Sequence, residues 1–484
     1  MKTYRVIIKS LLLVVFIGAV FFFWKDPSYP GSFAVDTISD RIRFSGHQDF
    51  SGATLVNLDE DPESEIFISS HGSKNLFLKR KHDLFFPIEI DELSDAEGLT
   101  YSVTACDLDS DGRDELLVLN QAVVKGRTSH SRVLKYGSGK WTDLLPEADP
   151  LLPILSTGYS STCVDRKGDG RYGLAISNSS GTHLYLELVE GKIVNIAEVV
   201  GLNLNSKGRS ILAVPGPTGH QNIFIGNEEG PNFYFKNKGD GTFIEVASQV
   251  GLSDPEFDAR GISLIDVNND DLPDVVYGNH YGPTRLLEQG RDGRFKDVTP
   301  EKMIKSYAVN SAVVGDFNLD GYEDVYTNNI RDDNKLFSQY ATDWYELQIP
   351  SLAEDKMFGI STIAGDLDGN GSFEILNTHG DGGKFPLTLY TIKPVGDWIK
   401  FSVRYKTGAV PRGAIVKLRT SIRDLVRVIS PGSGRFANYD TDVVFGLLKN
   451  ESPLSLDVTL PSGKKASFEK SFSVLSNNKI DVEY

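Results

Sequence analysis

Asp316-Phe317-Asn318-Leu319-Asp320-Gly321-Tyr322-Glu323-Asp324, running on into Val325-Tyr326-Thr327, is the stretch on which the fold turns. Oxygen side chains at its first, third, fifth and ninth positions (Asp316, Asn318, Asp320, Asp324) can converge on one ion, with a backbone carbonyl from the seventh. Gly321 at the sixth permits the sharp turn that this requires. A cage of six to eight oxygens at about 2.4 Å suits calcium; magnesium keeps more water, and zinc would want His or Cys. An EF-hand begins alike but needs Glu at the twelfth position and a following helix. Here that position is Thr327, in a β-type run.

The unit recurs along the chain. NLDEDPESEIFI begins at Asn57, DLDSDGRDELLVL at Asp107, DRKGDGRYGLAI at Asp165, VPGPTGHQNIFI at Val214, DVNNDDLPDVVY at Asp266 and DLDGNGSFEILN at Asp366. Successive starts lie 50, 58, 49, 52, 50 and 50 residues apart, which marks a repeat architecture. Each unit reads as four short strands: one enters the loop (261–265), one leaves it (274–277), one follows a polar turn (335–337), and one follows a Gly-rich turn (242–246). Four-stranded units of this length fit propeller blades, which close radially and leave few exposed edges. The expected fold is all-β: a seven-bladed β-propeller over 41–395, then a small β domain over 396–484, where the period stops and no acidic loop occurs.

Four loops carry a full oxygen set. They are Asp107, Asp109, Asp111 and Glu115; Asp266, Asn268, Asp270 and Asp274; Asp316, Asn318, Asp320 and Asp324; and Asp366, Asp368, Asn370 and Glu374. A fifth, with Asn57, Asp59, Asp61 and Glu65, has Pro62 at the glycine position and is the weakest. Lys167 and Gly173 replace ligands in the Asp165 unit, and the Val214 unit has no acid, so neither is expected to hold metal. Acidic residues and glycine also dominate ordinary turns. Recurrence in phase with the period favours four to five calcium sites that clamp part of the ring.

Lys2, Arg5 and Lys9 precede the apolar run 11–24, which Lys25 and Asp26 close. This is the positive-inside arrangement. It predicts a short cytoplasmic tail (1–9), then a transmembrane anchor or a cleaved signal peptide (10–24), and a linker over 25–40; on either reading the bulk is extracytoplasmic. The net charge of −16 argues against nucleic acid as partner, since phosphate binding needs a basic surface. Two cysteines exclude a disulfide scaffold, although one bridge remains arithmetically possible. Cys106 and Cys163 lie one and two residues before their loops, an offset that places them on opposite strand faces and predicts small buried hydrophobes.

Five residues after the ninth loop position, where the second strand ends, the chain reads Ser70, Asn120, Asn178, Asn227, Asn279, Asn329 and His379, with His71 and His280 adjoining. These lie on the face opposite the metal loops. One expectation is a polar ring that contacts a glycan or protein ligand; the other is Asn satisfying a turn. No catalytic residue is assigned, because G-x-S-x-G, HExxH and a reactive Cys pair are all missing from the sequence. The composition therefore favours a binding and scaffold protein. The alternatives are a carbohydrate-active enzyme on a propeller and an envelope assembly factor held by its anchor.

The D-x-[DN]-x-[DN]-G-x-x-[DE] loop with its flanking strands resembles FG-GAP/VCBS repeats, the units of integrin-type propellers. The tail resembles the ASPIC/UnbV domain that follows such propellers in the cartilage acidic protein family. The matching residues are Asp397-Trp398-Ile399, Arg412-Gly413-Ala414-Ile415-Val416, Gly432-Ser433-Gly434, Phe445-Gly446-Leu447 and Pro461-Ser462-Gly463-Lys464. Leu448 and Leu460 depart from the tail's usual Gly and Trp. The resemblance implies calcium binding and an adhesion- or matrix-like role.

Overall fold

The computed structural model describes residues 31–483, apart from 60, 62, 97, 122–129, 147–148, 331, 354, 356, 433–434, 439 and 470. The expected anchor at 10–24 lies outside the described residues. Among them, no helix is long and apolar enough to cross a membrane.

Seven sheets form a closed ring of blades. Blade 1 consists of Phe50–Val56, Glu65–Ser70, Leu76–Lys81 and Leu84–Ile88 in that antiparallel order. Blades 2 to 6 repeat it, with innermost strands Thr100–Cys106, Gly158–Val164, Gly208–Pro215, Ala259–Ile265 and Val309–Gly315. Second strands such as Glu115–Asn120 (ELLVLN) are buried at every position, because neighbouring blades cover both of their faces. Outermost strands such as Lys140–Asp143 alternate instead, with only Trp141 inward.

Blade 7 differs. Gly359–Gly365, Glu374–His379 and Thr388–Ile392 supply three strands, and the outermost is Val35–Thr37, paired with Thr388–Ile392 from Val35↔Ile392 to Thr37↔Tyr390. The expectation of a linker over 25–40 is thus corrected for these residues. A ring must join its ends, and here the N-terminal strand completes the last blade. The innermost strand of blade 7 in turn lies against that of blade 1.

The tail is a two-sheet sandwich. Val443–Leu447, Asp397–Tyr405 and Asn477–Val482 form one sheet; Asp424–Val428, Ile415–Thr420, Pro453–Thr459 and Lys465–Phe468 form the other. Phe401, Val403, Leu418, Phe445 and Leu456 fill the space between. This core is continuous with Leu117, Tyr172 and Leu174 of blades 2 and 3, so the tail is fused onto the propeller.

Cys106 and Cys163 form a disulfide between the innermost strands of blades 2 and 3, with their Cα atoms 5.9 Å apart. The reading of two free hydrophobes is corrected. Face parity governs residues within one sheet, whereas these two strands belong to adjacent sheets packed side by side.

Candidate functional sites: the loop face and the channel mouth

The acidic loops all open on one face of the ring. In the loops that begin with Asp, backbone N–H groups fold back onto the first carboxylate: Gly112 N–H donates to Asp107 (2.9 Å), Gly321 N–H to Asp316 (3.0 Å) and Gly371 N–H to Asp366 (3.0 Å). Gly112, Gly321 and Gly371 have φ values of 91°, 92° and 88°, the left-handed turn that the sequence placed there. Asp271 takes the same turn at φ 70° without being glycine. Burial pushes these carboxyls up, Asp107 to about 6, Glu115 to about 7 and Glu374 to about 8. Burial disfavours the charged form of a carboxyl group.

Three loops bring their oxygens together. Asp59, Asp61 and Glu65, then Asp107, Asp109 and Glu115, and then Asp366, Asp368 and Glu374 each offer ligand atoms within 4.8 Å of one another. That spacing fits the oxygen shell of one calcium ion. In blades 1 and 2, however, a lysine of the third strand stands among them. Lys79 Nζ reaches Asp59, Asp61 (2.5 Å) and Glu65 (3.2 Å); Lys135 Nζ reaches Asp109, Asp111 (2.7 Å) and Glu115 (3.0 Å). Sequence reasoning missed both. The signal was present, since each lies one step beyond a ladder pair, Ile66↔Leu78 or Leu116↔Leu134, opposite the ninth loop position. The Asp366 loop has Thr391 there, with its hydroxyl donating to Glu374 (3.0 Å).

The two other loops are held by hydrogen bonds and by the tail. Asp274 accepts Val267 N–H (2.9 Å) and Gln289 N–H (2.7 Å), while Asp270 and Asp271 donate N–H groups to Asp266 and Asn268 accepts from Asp270. Asp316 accepts Arg427 Nη2 (3.1 Å) and Gly446 N–H (2.9 Å), both from the tail. Asn318 donates to Asp320 (3.1 Å), whose carbonyl accepts Arg423 (2.7 Å), and Asp324 accepts Phe317 N–H. Elsewhere Lys400 meets Asp366 (2.7 Å), Arg412 meets Asp114 (2.6 Å) and Lys417 meets Asp271 (3.0 Å). Asn370 turns inward to accept Ser372 N–H (2.7 Å). The tail thus covers the loop face with basic side chains against the loop acids.

On the opposite face the asparagine positions hold turns. The side-chain amides of Asn178, Asn227, Asn279 and Asn329 donate to the carbonyls of Thr182, Pro231, Pro283 and Asp333, four residues on. Asn120 donates to His130 O (2.9 Å). Backbone N–H groups of Ser70, Asn120, Asn178, Asn227 and Asn329 in turn find Asn75, Ser131, His183, Asn232 and Asn334. His379 is buried, its Nε2 2.9 Å from Thr388 Oγ1. These groups form no exposed ring.

A different ring does reach the channel. Every innermost strand carries a bulge at its second residue or its second and third: Ser51–Gly52, Tyr101, Tyr159, Arg209, Arg260–Gly261, Asn310 and Ile360. A bulge re-aims a side chain, and these converge at the mouth opposite the loops. The tail plugs the channel beneath them. Pro431 O accepts Thr162 Oγ1 (3.0 Å) and Cys163 N–H (3.1 Å), Phe436 O accepts Ala53 N–H (3.1 Å), and Ala437 pairs in parallel with Ala53. Phe436 stacks on Tyr101 (centroids 5.8 Å) and lies 4.7 Å from Tyr159. Arg435 donates to Asn310, and Arg209 lies over the Tyr159 ring at 4.6 Å. Six of the seven bulges fall six residues before the first loop residue, so the repeat itself could have found this variable position.

The FG-GAP-like repeat family matches residues 218–277 and 266–327. Cartilage acidic protein 1 of Xenopus tropicalis is 34% identical over 456 residues, covering 85% of this chain and 70% of that protein. The Homo sapiens protein of the same name is 32% identical over 459 residues (86% and 69%), and that of Mus musculus 31% (86% and 71%). Among solved structures, YCF48 bound to D1 peptide aligns with a TM-score of 0.46 and 9% identity, over 75% of this chain and 96% of that one. Repeats in phase, a seven-bladed ring and relatives matched along most of both chains converge on one assignment: the chain belongs to the cartilage acidic protein family.

Proposed function

We propose that this protein is an extracytoplasmic binding scaffold whose blades are clamped by calcium on the loop face and whose opposite face recognises a partner. The observation that carries the reading is the division of the two faces. The tail sits on the loops, ion-paired to Asp114, Asp271, Asp316 and Asp366, while on the opposite face Tyr101 and Arg209 of the channel mouth are partly exposed. Calcium in the Asp366 loop would be held by Asp366, Asp368 and Glu374, where the third strand carries Thr391 instead of a lysine, while Lys400 pairs with Asp366 and Arg41 with Asp368. Its charge would offset the repulsion among these buried acids and stiffen the turn between the first two strands.

Export is supported by the apolar run at 11–24 and by the Cys106–Cys163 disulfide, which persists in oxidising compartments. The relatives are named for cartilage, an extracellular tissue. The test is thermal melting of the purified chain in EDTA and in millimolar calcium. A calcium-dependent rise of several degrees supports the clamp; superimposable curves refute it.

A further inference from the structure

The channel mouth concentrates positive charge in a chain whose net charge is −16. Arg209 and Arg260 both pair with Glu228, Arg260 at 2.9 Å, so one carboxylate faces two guanidinium groups. Arg435 is a third, 4% exposed and held by Asn310, which also accepts Arg260 Nη1 at 3.3 Å. Two further carboxylates lie nearby. Asp49 lies 3.9 Å from His71, and Asp258 accepts Glu229 N–H. Nε of Arg260 and Nε of Arg435 make no hydrogen bond among the described residues, although both residues are buried. The guanidinium groups repel one another: burial first, and then Arg260 and Arg209, pull Arg435 down to about 9. Burial, and then Arg260 and Arg435, hold His280 down at about 4.

Beside this charge lies an aromatic shelf. Tyr101 is partly exposed, 5.2 Å from each of His71 and Tyr159, and Phe436 stacks on it at 5.8 Å. Gln121 Oε1 accepts the Tyr101 hydroxyl (3.1 Å), which fixes the ring's orientation.

We propose that the channel mouth binds an acidic sugar residue, with its carboxylate on Arg209 and Arg260 and its ring face on Tyr101. The proposal rests on the scaffold reading for its choice of face, and it adds the ligand class. Arginine matches a carboxylate through paired N–H donors. An aromatic face matches the C–H face of a pyranose, and the oxygens of Glu228 and Gln121, which already accept from the arginines and Tyr101, have further lone pairs for sugar hydroxyls. A bare oxyanion would use only the arginines.

The test is calorimetric titration of the whole chain with a galacturonic acid oligosaccharide, with acetate and sulfate as bare anions and a neutral glucose oligosaccharide as control. The uronate is expected to bind and the neutral sugar not. Arg209→Gln, at a side chain that is 24% exposed and so not needed for the core, should weaken uronate binding about tenfold or more, as loss of a charge-assisted contact does. Tyr101→Ala should reduce the uronate to the affinity of acetate. The proposal is overturned by no uronate binding, by equal binding of the neutral sugar, by sulfate binding as tightly as the uronate, or by an Arg209→Gln chain that is folded and binds unchanged. A null titration alongside an intact calcium-dependent melting shift removes the ligand class and leaves the scaffold; a missing shift with uronate binding does the reverse.

Discussion

Arg427, in the tail, donates to Asp316, the first residue of the sixth blade's loop, at 3.1 Å, and both are buried. The loop with the best calcium spelling in the sequence is therefore partly neutralised by the chain's own guanidinium. Arg427→Ala would leave Asp316 buried with two backbone donors and only Arg423 as a cation near it. Breaking a buried pair from one side costs about 3 kcal/mol or more. Denaturant unfolding in EDTA should show that loss, and calcium should recover part of it. A change within the error of the extrapolation contradicts the assignment.

Lys135 stands among Asp109, Asp111 and Glu115 as a tethered cation. Lys135→Met keeps the aliphatic stem and removes the charge, which should cost about 2 kcal/mol in EDTA by leaving Glu115 unpaired. The same variant should gain more from calcium than the parent does. If the melting temperatures in EDTA and in calcium both match the parent, the lysine does not act as a counter-ion.

The disulfide closes a separation of 57 residues between adjacent blades. Replacing Cys106 and Cys163 by serine together should lower stability by about 3 kcal/mol, mainly through the unfolded chain's regained freedom. Non-reducing mass spectrometry of the parent should show the bond, and equilibrium unfolding of the variant should show the loss. Two free thiols in the exported parent would refute the pairing.

His183 is wholly buried, with Nδ1 accepting Asn178 N–H and Nε2 2.9 Å from Ser206 Oγ. Burial holds it at about 4, below its ordinary value of 6.5. A lowered histidine adds stability that is full above 6.5 and is lost as pH falls towards 4, because the unfolded chain takes up the proton first. The loss amounts to about 3 kcal/mol. His183→Asn, the residue that sister blades carry as Asn232 and Asn334, should flatten this limb. Stability measured from pH 7 to pH 4 for both chains decides it; parallel curves would exclude His183 as the cause.

The loops and the asparagine positions show how far local signals reach. Gly112, Gly321 and Gly371 adopt the left-handed turns that their spacing demands, since the demand arises within nine residues of chain. The asparagines recur with the period, which pointed to a shared role without saying which. The structure shows them holding the turn after the second strand, the local alternative to ligand contact. Arg209, Tyr101 and Tyr159 drew no notice because they vary from unit to unit, and their convergence requires seven blades arranged around one axis.

The sequence by itself determined the blade count, the strand order within the first six blades, the turn geometry of the loops and the family, because each depends on short-range patterning repeated with a constant period. Only the tertiary structure decided that Val35–Thr37 closes the ring, that two cysteines meet across blades, that lysines enter two acidic loops, and that the tail seals one face and plugs the channel. These are contacts between residues tens to hundreds of positions apart. What brings them together is the closure of the ring and the burial of a core shared by propeller and tail, neither of which leaves a period in the chain.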